Sequence, residues 1–189
     1  MTVADPSTLT GVPGYVAGTW SIDPVHSEVG FTVRHMMVSK VRGKFRTFSG
    51  QLVTGDDPLG SSVIAEIDLS SIDTGNEQRD AHIRSADFFE VETHPTMTYR
   101  STGVRRDGDG HVLDGELTLK GVTREVPLVL ELNGFGPDAY GGTRAGFSGT
   151  AEINRRDFGV NFAAVMETGG AVVSDKVTIQ LEVEAVLQS

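Results

Sequence analysis

The chain has 189 residues and a formal net charge of −10, with 38% hydrophobic and 22% charged residues. This composition is typical of one soluble domain, and the acidic balance argues against a nucleic-acid partner, which would need a broad basic surface. Cysteine is absent, which excludes disulfides, thiolate metal sites and a cysteine nucleophile. The N-terminus lacks the pattern of a signal peptide, and no run of about 18 apolar residues predicts a transmembrane segment. We therefore expect a cytoplasmic protein.

The first residues are poor in regular patterns and rich in Gly, Pro and Thr. We predict that residues 1–17 form a flexible N-terminal arm, with a plug or flap against the body as the alternative. The folded domain is predicted to cover residues 18–189.

The first long pattern alternates apolar and polar residues. Val29, Phe31, Val33 and His35 fall on one face, which predicts a strand with one buried side. A second strand over 44–53 follows a glycine, so the two are predicted to pair.

This pair of strands also concentrates positive charge. Between Arg34 and Arg46 the chain carries five basic residues and no acid. Because Arg and Lys neutralise phosphate and orient polar oxygens, the stretch is a candidate head-group site, and an exposed, solvated strand is the alternative. The candidate head-group residues are Arg34, His35, Lys44 and Arg46.

The same alternation predicts further strands over 62–69, 96–104, 111–120, 125–132, 145–153 and 176–187. One helix is predicted over 77–86, after the capping residues of 73–76. About eight short, sequential strands with turn signals predict an all-β fold, either a sandwich or a closed antiparallel barrel with one inserted helix. Closure is favoured because it leaves no sheet edge exposed.

An eight-stranded barrel can be filled by side chains or can hold one small ligand. Several predicted inward positions carry small residues, which would leave a cavity unless the strands collapse together. Glycines at bends of a filled barrel are the alternative, and the pattern leaves both open. The small positions are Ala65, Ser101, Gly103, Gly115, Ala145, Gly149 and Ala151.

Evidence for catalysis or metal binding is weak. Asp23, His26 and Ser27 contain the residue types of a hydrolase triad, but neighbours in one tight turn are badly placed to relay a proton, so capping is the favoured interpretation. With His35 they form the basis of an alternative hypothesis, a hydrolase or isomerase. The five histidines show no metal-ligand spacing, so no metal site is predicted.

Several motifs occur in one order along the chain. The first is I-D-x-x-H-S-x-V-x-F-x-V-x-H from Ile22, followed by G-K-F from Gly43 and the helical R-D-x-H with F-F. Then come G-E-L-T-L-K-G-V-T-R-E-V from Gly115, N-R-R-D-F-G over 154–159, and D-K-V-x-I-x-L-E-V-E-A near the C-terminus. In joint order and spacing the chain resembles the YceI-like family over roughly 18–187.

The resemblance implies a lipocalin-like, eight-stranded antiparallel barrel with a helical insertion. It implies binding of a long amphiphile in the barrel (a polyisoprenoid, an isoprenoid quinone or a fatty-acid-like chain) for storage, transport or sequestration. It implies no catalytic activity and no cofactor besides this isoprenoid-type lipid, and dimers recur in the family, so we expect a homodimer. Many relatives are exported, whereas this chain shows no export signal. A filled barrel used for protein–protein contact remains an alternative.

If the barrel is hollow, inward apolar and aromatic residues are expected to line the lipid tail. The predicted tail-lining residues are Phe31, Val33, Phe45, Phe88, Phe89, Met97, Tyr99, Leu117, Leu119, Leu128, Phe147 and Ile179.

Overall fold

The computed structural model describes residues 12–36, 38–163 and 173–189. Within these ranges the chain forms, together with three short 3₁₀ helices, one α-helix and twelve β-segments. They are β1 (Gly18–Ile22), β2 (Glu28–His35), β3 (Ser39–Phe45), β4 (Phe48–Thr54), β5 (Ser62–Asp68), β6 (Ile72–Asp73), α1 (Glu77–Arg84), β7 (Thr96–Asp107), β8 (Gly110–Leu119), β9 (Val122–Glu125), β10 (Leu128–Pro137), β11 (Thr143–Asn154) and β12 (Val173–Leu187).

The sheet closes on itself through β12. One edge of β12 pairs with β11, while β1 and then β2 pair along the other edge, so β1 and β2 act as one bent strand. In the same way β3 pairs with β2, and β4 pairs with β1. The ring continues through β5, β7, β8, β10 and β11 back to β12, all antiparallel. The predicted eight-stranded antiparallel barrel with one helix is therefore confirmed.

The strand predicted over 44–53 is divided at Arg46 and Thr47. The backbone N–H of Arg46 donates to the carbonyl of Ser71 (3.1 Å), and that of Thr47 donates to the Ser71 hydroxyl (3.0 Å). These bonds take the place of ladder pairing, so the sheet bends here. Alternation continues on both sides, which is why the sequence pattern does not show the break.

Helix α1 is fixed by its N-terminal side chains. The side chain of Asn76 accepts a hydrogen bond from the Arg79 N–H (2.9 Å), which caps the helix. The buried Asp80 carboxylate accepts from both the backbone N–H (2.9 Å) and the hydroxyl (2.5 Å) of Thr74. The segment after α1 carries Phe88 and Phe89 onto the hydrophobic core at one end of the barrel.

The opposite end of the barrel is held by a separate small core. Trp20 and Ala185 are fully buried there, and the Trp20 indole N–H donates to the Thr54 hydroxyl (2.8 Å). Phe135 packs edge-on against Trp20, with ring centroids 5.5 Å apart. This second core ties β1, β4 and β10 together.

Outside this second core, Arg144 on β11 joins three acidic side chains from different segments. Its guanidinium donates to Asp23 (2.8 Å), Glu184 (3.0 Å) and Asp138 (3.2 Å). The hydrogen bond from Arg144, and then that from His26, holds the pKa of Asp23 far below its ordinary value of 3.8. The pKa of Asp138 is also lowered, mainly by the backbone N–H groups of Tyr140 and Gly142 and further by Arg144.

We expect Arg144→Gln to lower the free energy of unfolding at pH 7. A carboxylate whose pKa is depressed on folding stabilises the native state above its unfolded pKa, and that contribution is lost as the pH falls toward the folded pKa. The difference between wild type and variant should therefore be largest at neutral pH and shrink below pH 3.8. Urea denaturation across this range measures it.

Arg100→Gln provides the control, because Arg100 is exposed and makes no ion pair within the described residues. A loss that is equal for both variants, or that does not change with pH, would contradict the proposed role of Arg144.

Candidate functional site: a cavity inside the barrel

The barrel is hollow. A cavity of about 610 Å³ runs between the two ends and is lined mainly by apolar side chains from β4, β5, β7, β8, β10 and β12. Ala65 is one of the lining residues, and its small side chain leaves space at the middle of β5. Of the seven small positions named from the sequence, Ala65 lines the cavity, whereas the Tyr99 ring fills the space beside Gly115, and Ala145 and Ala151 pack in the two cores.

Aromatic residues close one end of this cavity. Phe45 lies between Phe31 (centroids 5.8 Å apart) and Phe89 (6.2 Å), and Phe88 and the buried Leu119 pack in the same cluster. None of these five lines the cavity. They form a floor, so the cavity is blind at the end where α1 is attached.

The structure divides the predicted tail-lining residues into two groups. Six line the cavity: Met97, Tyr99, Leu117, Leu128, Phe147 and Ile179. The other six do not: Phe31, Phe45, Phe88, Phe89 and Leu119 belong to the floor, and Val33 lies on β2 beyond it. Lipid contact by any of the twelve stays a prediction.

Other residues that line the cavity were not among the predicted tail-lining residues, although they belong to the same pattern of alternating inward positions. They include Ile22, Leu52, Val63, Leu113, Leu130, Leu132, Phe135, Leu181 and Val183. The period-two pattern places them inward, but it does not show which level of a barrel is filled and which is empty.

Tyr99 is a buried polar residue of the lining. Its hydroxyl donates to the carbonyl of Val126 (2.8 Å), and burial, followed by the charge of Asp114, raises the pKa of the phenol well above its ordinary value. Gly115 makes room for the ring, because a Cβ there would lie 2.4 Å from the hydroxyl oxygen. The hydroxyl therefore stays protonated and paired, and the wall around it is apolar.

The opposite end carries polar side chains on the hairpin between β7 and β8. Arg106 and His111 face each other in register and lie on the inner face, as do Val104 and Leu113. Both line the cavity, together with the exposed Asp109. We call these three residues the polar mouth. The sequence analysis did not identify Arg106 and Asp109 as site residues, because the sequence of a tight turn does not indicate that the turn borders a cavity.

The last residues of the predicted N-terminal arm lie beside this mouth. The ring of Tyr15 is buried and packs edge-on against Phe135, at a centroid distance of 5.2 Å. Its hydroxyl donates to the carbonyl of Gly55 (2.7 Å). Residues 12–17 thus contact the barrel, while residues 1–11 lie outside the described ranges.

The four predicted head-group residues lie away from the cavity. Arg34 and Lys44 are exposed on the outer face of β2 and β3, and His35 is the last residue of β2. Arg46 is exposed and forms an ion pair with Asp73 (2.5 Å). The charge pattern identified a basic surface, but the alternation of the strands turns that surface outward.

The three residues of the possible triad are used to fasten a turn. The Ser27 hydroxyl donates to the carbonyl of Glu184 (3.2 Å) and accepts from its N–H (3.0 Å). His26, whose side chain is 60% exposed, bonds to Asp23 (2.7 Å). Asp23, His26 and Glu184 lie close together, and the Arg144 guanidinium donates hydrogen bonds to both carboxylates. The capping interpretation accounts for these contacts.

Among the described residues, no helix has the length and apolar character needed to cross a membrane.

Comparison with known proteins agrees with the fold. A family model described as "YceI-like domain" matches residues 20–185. The chain is 38% identical to "UPF0312 protein PA0423" of Pseudomonas aeruginosa over 164 residues, which is 86% of this chain and 83% of that protein. It is 36% identical to "Protein YceI" of Escherichia coli O157:H7 over 176 residues, covering 92% and 89% of the two chains.

Solved structures show the same architecture. Burkholderia cenocepacia BcnA superposes with a TM-score of 0.75 at 24% identity and covers 86% of this chain and 98% of its own. A polyisoprenoid binding domain from Saccharophagus degradans gives a TM-score of 0.68 at 18% identity, covering 92% and 100%. Since the family model spans nearly all of the barrel, this chain belongs to the YceI-like family.

Proposed function

We propose that this protein binds one long amphiphilic lipid inside the barrel, with the tail on the apolar walls and the head at the polar mouth. The observation that carries the proposal is the apolar cavity, closed at one end and polar at the other. Burial of a hydrocarbon tail contributes about 0.8 kcal/mol per CH₂, so a chain of modest length gains useful affinity without covalent chemistry.

The cavity dimensions favour a single chain. Met97 and Arg106 line it nine residues apart on β7, which is about 30 Å of strand at about 3.3 Å per residue, and a strand tilt of about 40° leaves about 23 Å along the barrel axis. A volume of about 610 Å³ over that axial length has a mean cross-section of about 27 Å². Carbon atoms in contact lie about 4 Å apart, so one extended chain needs roughly 20 Å² and two need roughly 40 Å².

The family supports the lipid class. One structural relative is a polyisoprenoid binding domain, and it shares this barrel. A polyisoprenoid, an isoprenoid quinone or a fatty-acid-like chain each has one long apolar tail and one compact polar end. Storage, transport or sequestration of such a molecule requires the cavity alone, and we propose no catalytic step.

Binding fits the described residues better than catalysis does. Ser27, the possible nucleophile, has its hydroxyl bonded to the backbone of Glu184, and His26 points to solvent outside the cavity. We also propose that the protein acts in the cytoplasm and, from the family resemblance, that it forms a homodimer. Cell fractionation and light scattering test these two points.

We expect Ala65→Phe to abolish lipid binding. The new ring would occupy the middle of the cavity, where Ala65 leaves space. Native mass spectrometry of protein purified from its own host, followed by lipid extraction, should find lipid on the wild type and little or none on the variant. The control is Ala81→Phe, the same change on the exposed surface of α1. Wild-type protein that is empty and takes up no prenyl lipid would contradict the proposal.

We expect single-chain amphiphiles to bind at least about tenfold more tightly than two-chain phospholipids with the same total number of carbons. The second chain cannot enter the cavity, so its apolar surface stays in water. Competition against a fluorescent single-chain probe measures both affinities. Equal affinity for the two classes would contradict a one-chain cavity.

Replacement of Arg106 by Ala should weaken binding by about tenfold, because a hydrogen bond from a charged donor to the head group is lost. Arg46→Ala should leave affinity unchanged, since Arg46 lies outside the cavity and pairs with Asp73. Titration with one prenyl ligand measures both variants. A larger effect of Arg46→Ala would instead support the head-group site predicted from the charge pattern.

A further inference from the structure

The outer face of the hairpin formed by β2 and β3 carries four exposed cations. Arg34 lies directly opposite Lys40 in the antiparallel register, Arg42 lies opposite Thr32, and Lys44 lies opposite Gly30. Val41, between Lys40 and Arg42, and Phe45, next to Lys44, point inward. We call Arg34, Lys40, Arg42 and Lys44 the basic face.

Among the described residues, the basic face does not contribute ion pairs that would stabilise the fold. Within the described ranges none of the four side chains forms an ion pair, whereas the neighbouring Arg46 is bonded to Asp73. Like charges opposite each other in a sheet, as at Arg34 and Lys40, are destabilising.

The acidic groups near the basic face lie at its margins. Asp73 has a lowered pKa, chiefly because the Gly75 N–H and then Arg46 donate to it, and the charge of Lys44 adds to the effect. Glu28 and Glu182 face each other at the start of β2, at the far end from the turn, and line a small pocket together with Arg42. Toward the turn, the cations have no acid beside them on β2 or β3.

The turn of this hairpin exposes apolar side chains. Val38 is 86% exposed and Met36 is 41% exposed, with Met36 held at a φ of 53°. The turn is closed by a hydrogen bond from the Val38 N–H to the His35 carbonyl (3.2 Å). The apolar side chains at the turn and the cations of the basic face therefore form one surface of the hairpin.

We propose that this hairpin binds the surface of an anionic lipid bilayer. Val38 and Met36 enter the head-group region, as apolar side chains of interfacial segments do, and the basic face contacts lipid phosphates. Each cation near such a surface strengthens binding by about fivefold. Because the whole chain carries a net charge of −10, its other faces are repelled, which orients the protein on the membrane.

The apolar turn favours a bilayer over a nucleic acid. Contacts with a phosphodiester backbone use cations and polar groups and gain nothing from an exposed Val38. A bilayer takes up both the apolar end and the charged side of one narrow hairpin. The membrane is therefore the partner whose chemistry matches the whole surface.

This site is separate from the cavity. The Leu187 end of β12 pairs with Trp20 beside the mouth, while Val173 at its start pairs with His35. The hairpin turn and the polar mouth thus lie at opposite ends of the barrel. A protein docked in this way presents its mouth away from the bilayer, so docking and loading of the cavity are independent.

Co-sedimentation with vesicles tests the proposal. At low salt, wild-type protein should bind vesicles of equal parts phosphatidylcholine and phosphatidylglycerol, and not vesicles of phosphatidylcholine alone. The double variant Lys40→Glu/Arg42→Glu should lose at least about tenfold in affinity. Val38→Asp should weaken binding several-fold although the basic face is intact. The lipid content of the cavity, measured by native mass spectrometry, should remain at the wild-type level in each variant.

The matched control is Arg100→Glu/Arg124→Glu, the same charge change at exposed positions on β7 and β9. This control variant should bind the anionic vesicles far better than the Lys40→Glu/Arg42→Glu variant does. Thermal unfolding of both variants checks that each is folded. Three results would overturn the proposal: no preference for anionic vesicles, an equal loss in the control, or displacement from vesicles by a DNA oligonucleotide at equal charge concentration. An empty cavity with intact vesicle binding would instead reject the proposed function alone.

Discussion

The closed sheet encloses more space than its inward side chains fill. Eight antiparallel strands fix the diameter of the barrel, and its inner face, which includes the small Ala65, leaves a cavity of about 610 Å³. Protein interiors normally pack without such voids, and an unfilled apolar cavity has a cost in stability. A bound hydrocarbon chain would offset that cost, so binding and stability depend on the same empty space.

The two ends of the barrel make the cavity directional. The phenylalanines that follow α1 form the floor with Phe45, while the β7–β8 hairpin supplies Arg106 and His111 at the mouth. Tyr99, the polar group deep in the wall, is paired with the Val126 carbonyl and therefore offers a ligand no free donor. An apolar tail fits the wall, and a polar group is accommodated only at the mouth.

The sequence predicted the architecture well, because alternation in strands such as β12 and the caps of α1 are local signals. It predicted the cavity less well. Phe45 and Leu128 both point inward by the same period of two, yet one belongs to the floor and the other to the cavity wall. Which level of a barrel is filled depends on strand stagger and on where the helical segment docks. The sequence of a single strand specifies neither the stagger of the strands nor the position of the helical segment.

The most direct test is a crystal structure of protein purified from its own host without added or extracted lipid. The account predicts continuous, elongated electron density along the barrel axis, from the level of Leu117 to the mouth at Arg106. A cavity that is closed by side chains meeting across the axis, or filled with separate water molecules, would contradict it.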